Sequence, residues 1–112
     1  MADFMFLFRE GNYQALSPEE MQKIVQRYMD WVRRLREAGK FKGGDELRPT
    51  GRMLSVQNGK IVDGPFTESK EMVGGYFVIE AADYDEAVTI AKESPGLAYG
   101  GAVEVRLISD YT

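Results

Sequence analysis

The densest group of ionisable side chains in the sequence lies between Asp63 and Glu71, which holds three carboxylates and one lysine. Carboxylates that are partly desolvated in a cleft take up protons more readily and can act as general acid or base. The pattern therefore favours Asp63, Glu68 and Lys70 as candidate catalytic residues. Asp63 or Glu68 would exchange the proton, and Lys70 would orient an anionic group or keep a neighbouring carboxylate ionised.

The same stretch also has a purely structural interpretation, which the spacing leaves open. Gly64-Pro65 forces a defined turn, and the Asp63 carboxylate can accept backbone N–H groups around that turn. Glu68 and Lys70 would then belong to an exposed helical turn, where local ion pairs contribute little to stability. The sequence alone does not choose between the two interpretations.

Four further residues are candidates for ligand binding: Arg52, Tyr76, Glu104 and Arg106. Tyr76 lies on the strand that follows the acidic loop and could donate a hydrogen bond. Glu104 and Arg106 alternate with valines on the last strand, so they share the face opposite the valines. If that face is buried against a second subunit, the two charges must be paired or functional. At a solvated sheet edge they would form cross-strand pairs instead.

Cysteine and histidine are both absent from the 112 residues. Their absence excludes disulfides, zinc sites built on thiolate or imidazole, histidine-based catalytic triads and a histidine or cysteine ligand for haem. The carboxylates show no recognised ligand spacing for Mg²⁺ or Ca²⁺. We therefore expect neither a metal nor another cofactor, and proton transfer would have to use Asp, Glu, Lys, Tyr or water.

The charge balance and the lack of long apolar runs restrict the partners. A net charge of −4 argues against nucleic acid. No apolar run is long enough for a signal peptide or a membrane span, which predicts a cytoplasmic protein without membrane attachment. Nine basic and four acidic residues lie between Lys23 and Arg52, whereas ten acidic and three basic residues lie between Asp63 and Asp110. This asymmetry fits two solvated faces of opposite sign or electrostatic complementarity between subunits.

The first two elements that position these residues follow from hydrophobic spacing. Phe4–Phe8 is wholly apolar and predicts a strand buried on both faces. Ser17-Pro18-Glu19-Glu20 predicts a helix start with a capping box, and Gly39 predicts its end. Trp31 lies off the apolar stripe of this helix, which predicts an edge of the core or a subunit contact. The stripe itself consists of Met21, Ile24, Val25, Tyr28, Val32 and Leu35.

The rest of the chain completes an α+β pattern. Residues 40–50 are predicted to form a connecting loop, and Asn58-Gly59 between two apolar runs predicts a type I′ hairpin. Tyr76–Glu80 predicts a central strand, Asp83 with Glu86 a second capped helix, and residues 102–108 the last strand. This order predicts a ferredoxin-like βαββαβ sandwich with an extra hairpin strand, formed by a single domain over residues 1–112.

The first strand also leads to a prediction about assembly. In a ferredoxin-like fold both helices cover one face of the sheet and leave the other face open. Phe4, Phe6 and Phe8 point to one side of the strand, and Met5 and Leu7 point to the other. We expect the phenylalanines on the open face, where they would form an exposed apolar patch. The sequence therefore predicts that this face packs on a second copy as a two-fold homodimer.

A known sequence pattern is present around the acidic loop. It comprises Asp63–Glu71 and Gly74–Glu80, together with Leu16–Glu20, Leu47–Pro49 and Gly101–Arg106. These segments closely resemble the DGPF-motif branch of the YCII-related domain family. The resemblance implies a ferredoxin-like fold of the dimeric α/β-barrel type, in which two sheets pack face to face.

The resemblance implies less about activity. Some relatives in the family are suspected enzymes because they carry a His–Asp pair in a cleft, and this chain has no histidine to form one. Other members of the branch are linked to extracytoplasmic-function sigma factors as accessory proteins. Two hypotheses follow, and whether the protein is an enzyme is left open. One is a small dimeric protein that binds a small molecule near the Asp63–Glu71 loop, with or without carboxylate acid/base chemistry. The other is a non-catalytic regulatory or protein-interaction module.

Overall fold

The structure, a computed structural model, describes residues 1–9, 11–13, 15–64 and 72–110. Its elements alternate in the order expected of an α+β protein. A short 3₁₀ helix, Pro95–Tyr99, precedes the last strand. The remaining elements, in chain order, are β1 (Ala2–Arg9), α1 (Pro18–Glu37), β2 (Phe41–Glu46), β3 (Met53–Gln57), β4 (Lys60–Gly64), β5 (Val73–Ala81), α2 (Tyr84–Ala91) and β6 (Ala102–Leu107).

Four of the strands form one antiparallel sheet in the order β2-β5-β1-β6. β1 and β5 form its centre, β2 pairs with β5 at one edge, and β6 pairs with β1 at the other. This topology is that of the ferredoxin-like fold, so the predicted fold class is confirmed.

The prediction of a connecting loop over residues 40–50 was wrong, because β2 lies within it and pairs with β5. Its Gly43-Gly44 pair favoured a loop in the sequence. In the structure a Cβ at Gly44 would lie 2.5 Å from the Tyr76 carbonyl oxygen and 2.6 Å from the Phe77 ring. This glycine therefore marks the close approach of a neighbouring strand.

The hairpin predicted at Asn58-Gly59 is present as β3 and β4. Both turn residues have positive φ angles, 51° and 76°, as a type I′ turn requires. The hairpin nevertheless forms a separate two-stranded sheet. It does not add a strand to the main sheet, which differs from the prediction.

Helix α1 begins as its sequence indicates. The Ser17 hydroxyl accepts a hydrogen bond from the Glu20 amide, and the Glu20 carboxylate accepts one from the Ser17 amide. The helix ends before Gly39, which has a φ of 71°. Both capping predictions are confirmed.

The predicted placement of Trp31 at the edge of the core was wrong. Its side chain is 1% exposed and stacks on Phe6 at a centroid distance of 6.5 Å, whereas Val25 of the predicted stripe is 53% exposed. The buried face of α1 follows the spacing Ile24, Tyr28, Trp31 and Leu35, so it keeps three residues of the predicted stripe and adds Trp31. Trp31 is therefore a central core residue.

Helix α2 is capped by Asp83, whose carboxylate accepts a hydrogen bond from the Glu86 amide. Glu86 in turn accepts hydrogen bonds from the Lys40 ammonium at 2.8 Å and from the Ala82 amide at 3.2 Å. These two bonds lower the pKa of Glu86 below its usual value of 4.5. The helix ends at Ala91, ahead of the Pro95–Tyr99 turn.

Both helices cover the face of the sheet to which the phenylalanines of β1 point. Phe4 contacts Tyr84 of α2 edge-on at 4.9 Å, and Phe6 and Phe8 contact Trp31 of α1. The prediction that these phenylalanines lie on the uncovered side of the sheet was therefore wrong. An entirely apolar strand does not reveal which side is inward, and the larger side chains fill the core.

We call the side of the main sheet that no described element covers the open face. Antiparallel partners lie on the same face of a sheet, so the strand register identifies its side chains. They are Asp3, Met5, Leu7 and Arg9 of β1, Asp45 of β2, Tyr76, Val78 and Glu80 of β5, and Glu104 and Arg106 of β6.

Candidate functional site

The open face carries a row of side chains across all four strands of the sheet. Leu7 lies at its centre, directly opposite Tyr76 on one side and Glu104 on the other. Asp45 extends the row beyond Tyr76. Adjacent strands are about 4.8 Å apart, so Tyr76 and Glu104 lie on strands about 10 Å apart. Two polar groups thus flank an apolar centre.

The apolar centre consists of Leu7 with its neighbours Met5 and Val78. All three side chains are half-buried, and Met5 pairs with Val78 in the row next to that of Leu7. They form a narrow apolar strip along the middle of the open face. A strip of this kind can hold the hydrocarbon part of a ligand, while the polar groups on either side fix its orientation.

On one side of the strip, the Tyr76 hydroxyl donates a hydrogen bond to the Asp45 carboxylate at 3.1 Å. This bond and the negative charge of Asp45 raise the pKa of Tyr76 above its usual value of 10, with a smaller contribution from desolvation. The phenol therefore stays protonated at neutral pH, and its proton is directed at Asp45. Towards a ligand, the pair presents the lone pairs of oxygen atoms and acts as a hydrogen-bond acceptor.

On the other side of the strip, Glu104 lies between two arginines. Its carboxylate is 3.0 Å from the Arg9 guanidinium and 3.7 Å from the Arg106 guanidinium. The three side chains are partly exposed. The Arg106 side chain is 69% exposed, so its guanidinium N–H donors are accessible to a ligand, and such donors bind carboxylates and phosphates well.

The two sides of the open face therefore differ in character. The Tyr76–Asp45 pair accepts hydrogen bonds, and the Arg9–Glu104–Arg106 group donates them through the exposed Arg106 guanidinium. Together with the apolar strip, they form an arrangement that fits a small molecule with a hydrogen-bond donor at one end and an anionic group at the other.

The candidate residues from the sequence are divided by the structure into two regions. Tyr76, Glu104 and Arg106 lie on the open face. Asp63 and Arg52 form an ion pair with each other at the base of the β3–β4 hairpin, where the Arg52 side chain is 82% exposed. Glu68 and Lys70 lie outside the described residues. The structure thus brings three of the ligand-binding candidates onto one surface and pairs the fourth with Asp63.

Sequence reasoning missed Arg9 and Asp45, which complete the two polar groups. Asp45 was overlooked because its segment was predicted to be a loop. Arg9 was treated only as the boundary of an apolar run. The alternation along Phe4–Arg9 gave a usable signal, since Arg9 shares a face with Met5 and Leu7.

Two searches of the described residues concern metal ligands and membrane-spanning helices. Across residues 1–9, 11–13, 15–64 and 72–110, no three acidic side chains converge as they would around a metal ion. None of the described helices has the length and hydropathy needed to span a bilayer.

The fold and the open face define a class of protein, namely a ferredoxin-like α+β domain with an uncovered sheet that carries paired polar groups. Comparison with known proteins identifies the family. The family model of the YCII-related domain matches residues 3–112. The chain belongs to the YCII-related domain family.

Two relatives illustrate this membership and its limits. An uncharacterized protein of Rhizobium meliloti (strain 1021) is 31% identical over 102 residues, which cover 87% of this chain and 82% of the relative. A solved structure of a 5-chloro-2-hydroxyhydroquinone dehydrochlorinase from Burkholderia phenoliruptrix, in complex with 2,5-dihydroxybenzoquinone, is 20% identical. It matches with a TM-score of 0.48 over 96% of this chain and 93% of that chain. We base the fold on the strand order and not on this distant likeness.

Proposed function

We propose that the protein binds a small molecule on the open face, with the apolar part of the ligand on Met5, Leu7 and Val78. The observation that carries this proposal is the row through Leu7, which has a hydrogen-bond acceptor pair on one side and an arginine-rich group on the other. The ligand would be an organic acid with a hydroxyl or amino group at its far end.

The geometry supports a binding role more directly than a catalytic one. Tyr76 is protonated at neutral pH, and the bond to Asp45 raises its pKa further, so it is a poor general base and a good positioning group. Acid/base chemistry by Asp63, Glu68 and Lys70 remains a prediction. Asp63 faces Arg52, and a carboxylate paired in this way serves first as an ion-pair partner.

We also propose that the protein acts as a homodimer in which a second copy covers the open face. The basis for this proposal is no longer a patch of phenylalanines, because these side chains fill the core. It is the half-buried apolar strip together with charges of both signs around it, a combination that a two-fold partner can complement. A cover would also desolvate the polar groups and strengthen their interactions with a ligand.

The proposal is tested with a matched set of probes in a thermal-shift measurement. The first probe, 6-hydroxyhexanoate, carries both end groups, whereas hexanoate lacks the hydroxyl group and 1,6-hexanediol lacks the carboxylate. Because ligands that bind the native state stabilise it, 6-hydroxyhexanoate at millimolar concentration should raise Tm more than either control.

The same measurement on variants locates the site. Arg106→Gln should abolish the shift, and Arg27→Gln, which removes an exposed arginine from α1, should leave it unchanged. Equal shifts with all three probes, or an unchanged shift in Arg106→Gln, would show that the open face is not the site.

An alternative function is a protein-interaction module, and the β3–β4 hairpin favours it. Met53, Leu54, Val56 and Ile61 are between 55% and 77% exposed, which is unusual for side chains of this size in one short segment. A module of this kind would use the hairpin and not the open face, and it would show no response to the probes described above.

A further inference from the structure

A cavity of about 330 Å³ lies between α1 and the segment that follows α2, and we call it the helix-side cavity. Since α1 covers the face of the sheet opposite the open face, the cavity and the open face lie on different sides of the protein. Its volume is at the lower end of the range for ligand sites, which favours a small molecule. The polar part of its lining consists of Arg27, Asp30 and Arg34 from α1 and of Glu93 and Ser94 from the facing segment.

Helix α1 places its three lining residues along one side. Arg27, Asp30 and Arg34 follow each other at intervals of three and four residues, which brings them onto the same side of a helix. The two arginines are two turns apart, about 10 Å along the helix axis. An elongated ligand with two anionic groups can therefore engage both of them.

Asp30 already has partners on its own helix. Its carboxylate accepts a hydrogen bond from the Gln26 amide at 3.0 Å and lies 3.4 Å from the Arg33 guanidinium. Neither Gln26 nor Arg33 lines the cavity. The negative charge of Asp30 is thus balanced from outside the cavity.

The other three charged residues of the lining have no such balance. In the part of the chain that the structure describes, Arg27, Arg34 and Glu93 form no ion pair, although they line the same cavity. A molecule that carries charges of both signs can bridge such groups across the space between them. Two positive charges and one negative charge favour a ligand with two anionic groups and one cationic group.

Ser94 adds a buried hydroxyl group to the lining. The residue is 5% exposed, and its hydroxyl lies 3.5 Å from the Tyr28 hydroxyl, which is its one side-chain hydrogen bond among the described residues. Bonds between hydroxyl groups are usually about 2.7–2.8 Å long, and buried polar groups normally form good ones. The Ser94 hydroxyl therefore keeps the capacity to bond with a ligand in the cavity.

We propose that the helix-side cavity binds a small amino acid with two carboxylates. Its carboxylates contact Arg27 and Arg34, since guanidinium groups bind carboxylates through paired hydrogen bonds. Its ammonium group contacts Glu93, and the Ser94 hydroxyl donates a hydrogen bond to one carboxylate. This site is separate from the open face, and the inference does not depend on the function proposed for that face.

An NMR titration of ¹⁵N-labelled protein with three matched probes tests the ligand class. L-Glutamate carries all three charged groups, glutarate lacks the ammonium group, and 4-aminobutyrate lacks one carboxylate. Millimolar glutamate should shift the amide signals of residues 27–34 and 93–98. At equal ionic strength, glutarate and 4-aminobutyrate should bind at least about tenfold more weakly, because each leaves a charged group of the cavity without its partner.

Variants of the lining locate the site in the same titration. Arg34→Gln and Glu93→Gln should each weaken glutamate binding by at least about tenfold. Arg48→Gln and Glu37→Gln remove exposed charges outside the cavity and should leave the affinity unchanged. The spectra also show directly whether each variant is folded.

Three results would overturn the inference. They are the absence of shifts with glutamate, equal binding of glutarate, and lining variants that bind glutamate as well as the two controls do. Shifts confined to the open face would overturn it equally, because they would place the ligand on the other side of the sheet.

The probe 6-hydroxyhexanoate separates this site from the open face. It has one carboxylate and no ammonium group, so in the helix-side cavity it would leave Glu93 unpaired. We therefore expect it to act on the open face alone, in agreement with the unchanged response expected of Arg27→Gln. Binding of glutamate without a response to 6-hydroxyhexanoate would overturn the ligand proposed for the open face and leave the helix-side cavity in place.

Discussion

The two faces of β1 begin from similar residues and end in different surroundings. Phe4 and Phe6 are 1% and 0% exposed beneath the helices, whereas Met5 and Leu7 between them are only half-buried on the open face. On the covered face the neighbours are aromatic rings, and on the open face they are ion pairs and a tyrosine–carboxylate pair. The comparison teaches that the two faces of one strand can differ in role, since one face packs in the core and the other carries the side chains of the proposed ligand site.

The largest expected effect is the difference in the free energy of unfolding lost when a side chain on each face of β1 is truncated. Phe6→Ala should destabilise the protein by about 3–5 kcal/mol, because it leaves a cavity beside Trp31. Leu7→Ala should cost no more than about half as much, since its side chain is only partly buried. Urea unfolding of both variants measures the difference.

The same two variants also test whether a second copy covers the open face. If a second copy covers the open face, the loss in Leu7→Ala should grow with protein concentration, while the loss in Phe6→Ala should grow less steeply. If the two variants lose equal stability at every protein concentration, the two faces of β1 do not differ in this way.

A smaller effect concerns pH on the covered side. The pKa of Glu86 is lowered in the folded state by its bonds to Lys40 and the Ala82 amide. Its contribution to stability is therefore complete above the unfolded value of 4.5 and is lost as pH falls through the lower folded value. Wild type should have a higher Tm than Glu86→Gln at pH 7, and the gap should narrow below pH 4. If the difference in Tm does not change with pH, the ionisation of Glu86 is not the cause of the effect.

The smallest effect on stability is expected on the open face. There, titration of Tyr76 is a better measurement than unfolding. Asp45→Asn should bring the pKa of Tyr76 back towards 10, because the carboxylate charge is removed and the remaining amide oxygen is a weaker acceptor for the phenol. Absorbance near 295 nm follows the phenolate. Asp30→Asn, which changes a partly exposed carboxylate on α1, should leave the Tyr76 titration unchanged. An equal change in the pKa of Tyr76 in both variants would show that Asp45 is not its cause.

The elements that could be predicted from the sequence are those with local signals. The capping box at Ser17, the cap at Asp83 and the turn at Asn58-Gly59 each depend on a few neighbouring residues, and all three are present. The loop prediction over residues 40–50 failed because the glycines of β2 are explained only by the strand beside them. Local sequence does not contain that neighbour.

The candidate site was predicted only in part for the same reason. Tyr76, Glu104 and Arg106 were identified by residue type and alternation, and the structure adds Asp45 and Arg9 as their partners. These partners are 31 and 95 residues away along the chain. Only the register of the sheet brings them together, and the register depends on long-range pairing.

Because side chains along β1 alternate between the core and the open face, the open face can be redesigned separately. Met5, Leu7 and Arg9 could be exchanged for other side chains while Phe4, Phe6 and Phe8 keep the helices in place, so binding preference and folding can be varied as separate sets of positions. A single-residue insertion within β1 would have the opposite consequence. It would turn the phenylalanines outward and the binding side chains inward for every residue beyond it, and so replace one surface with the other.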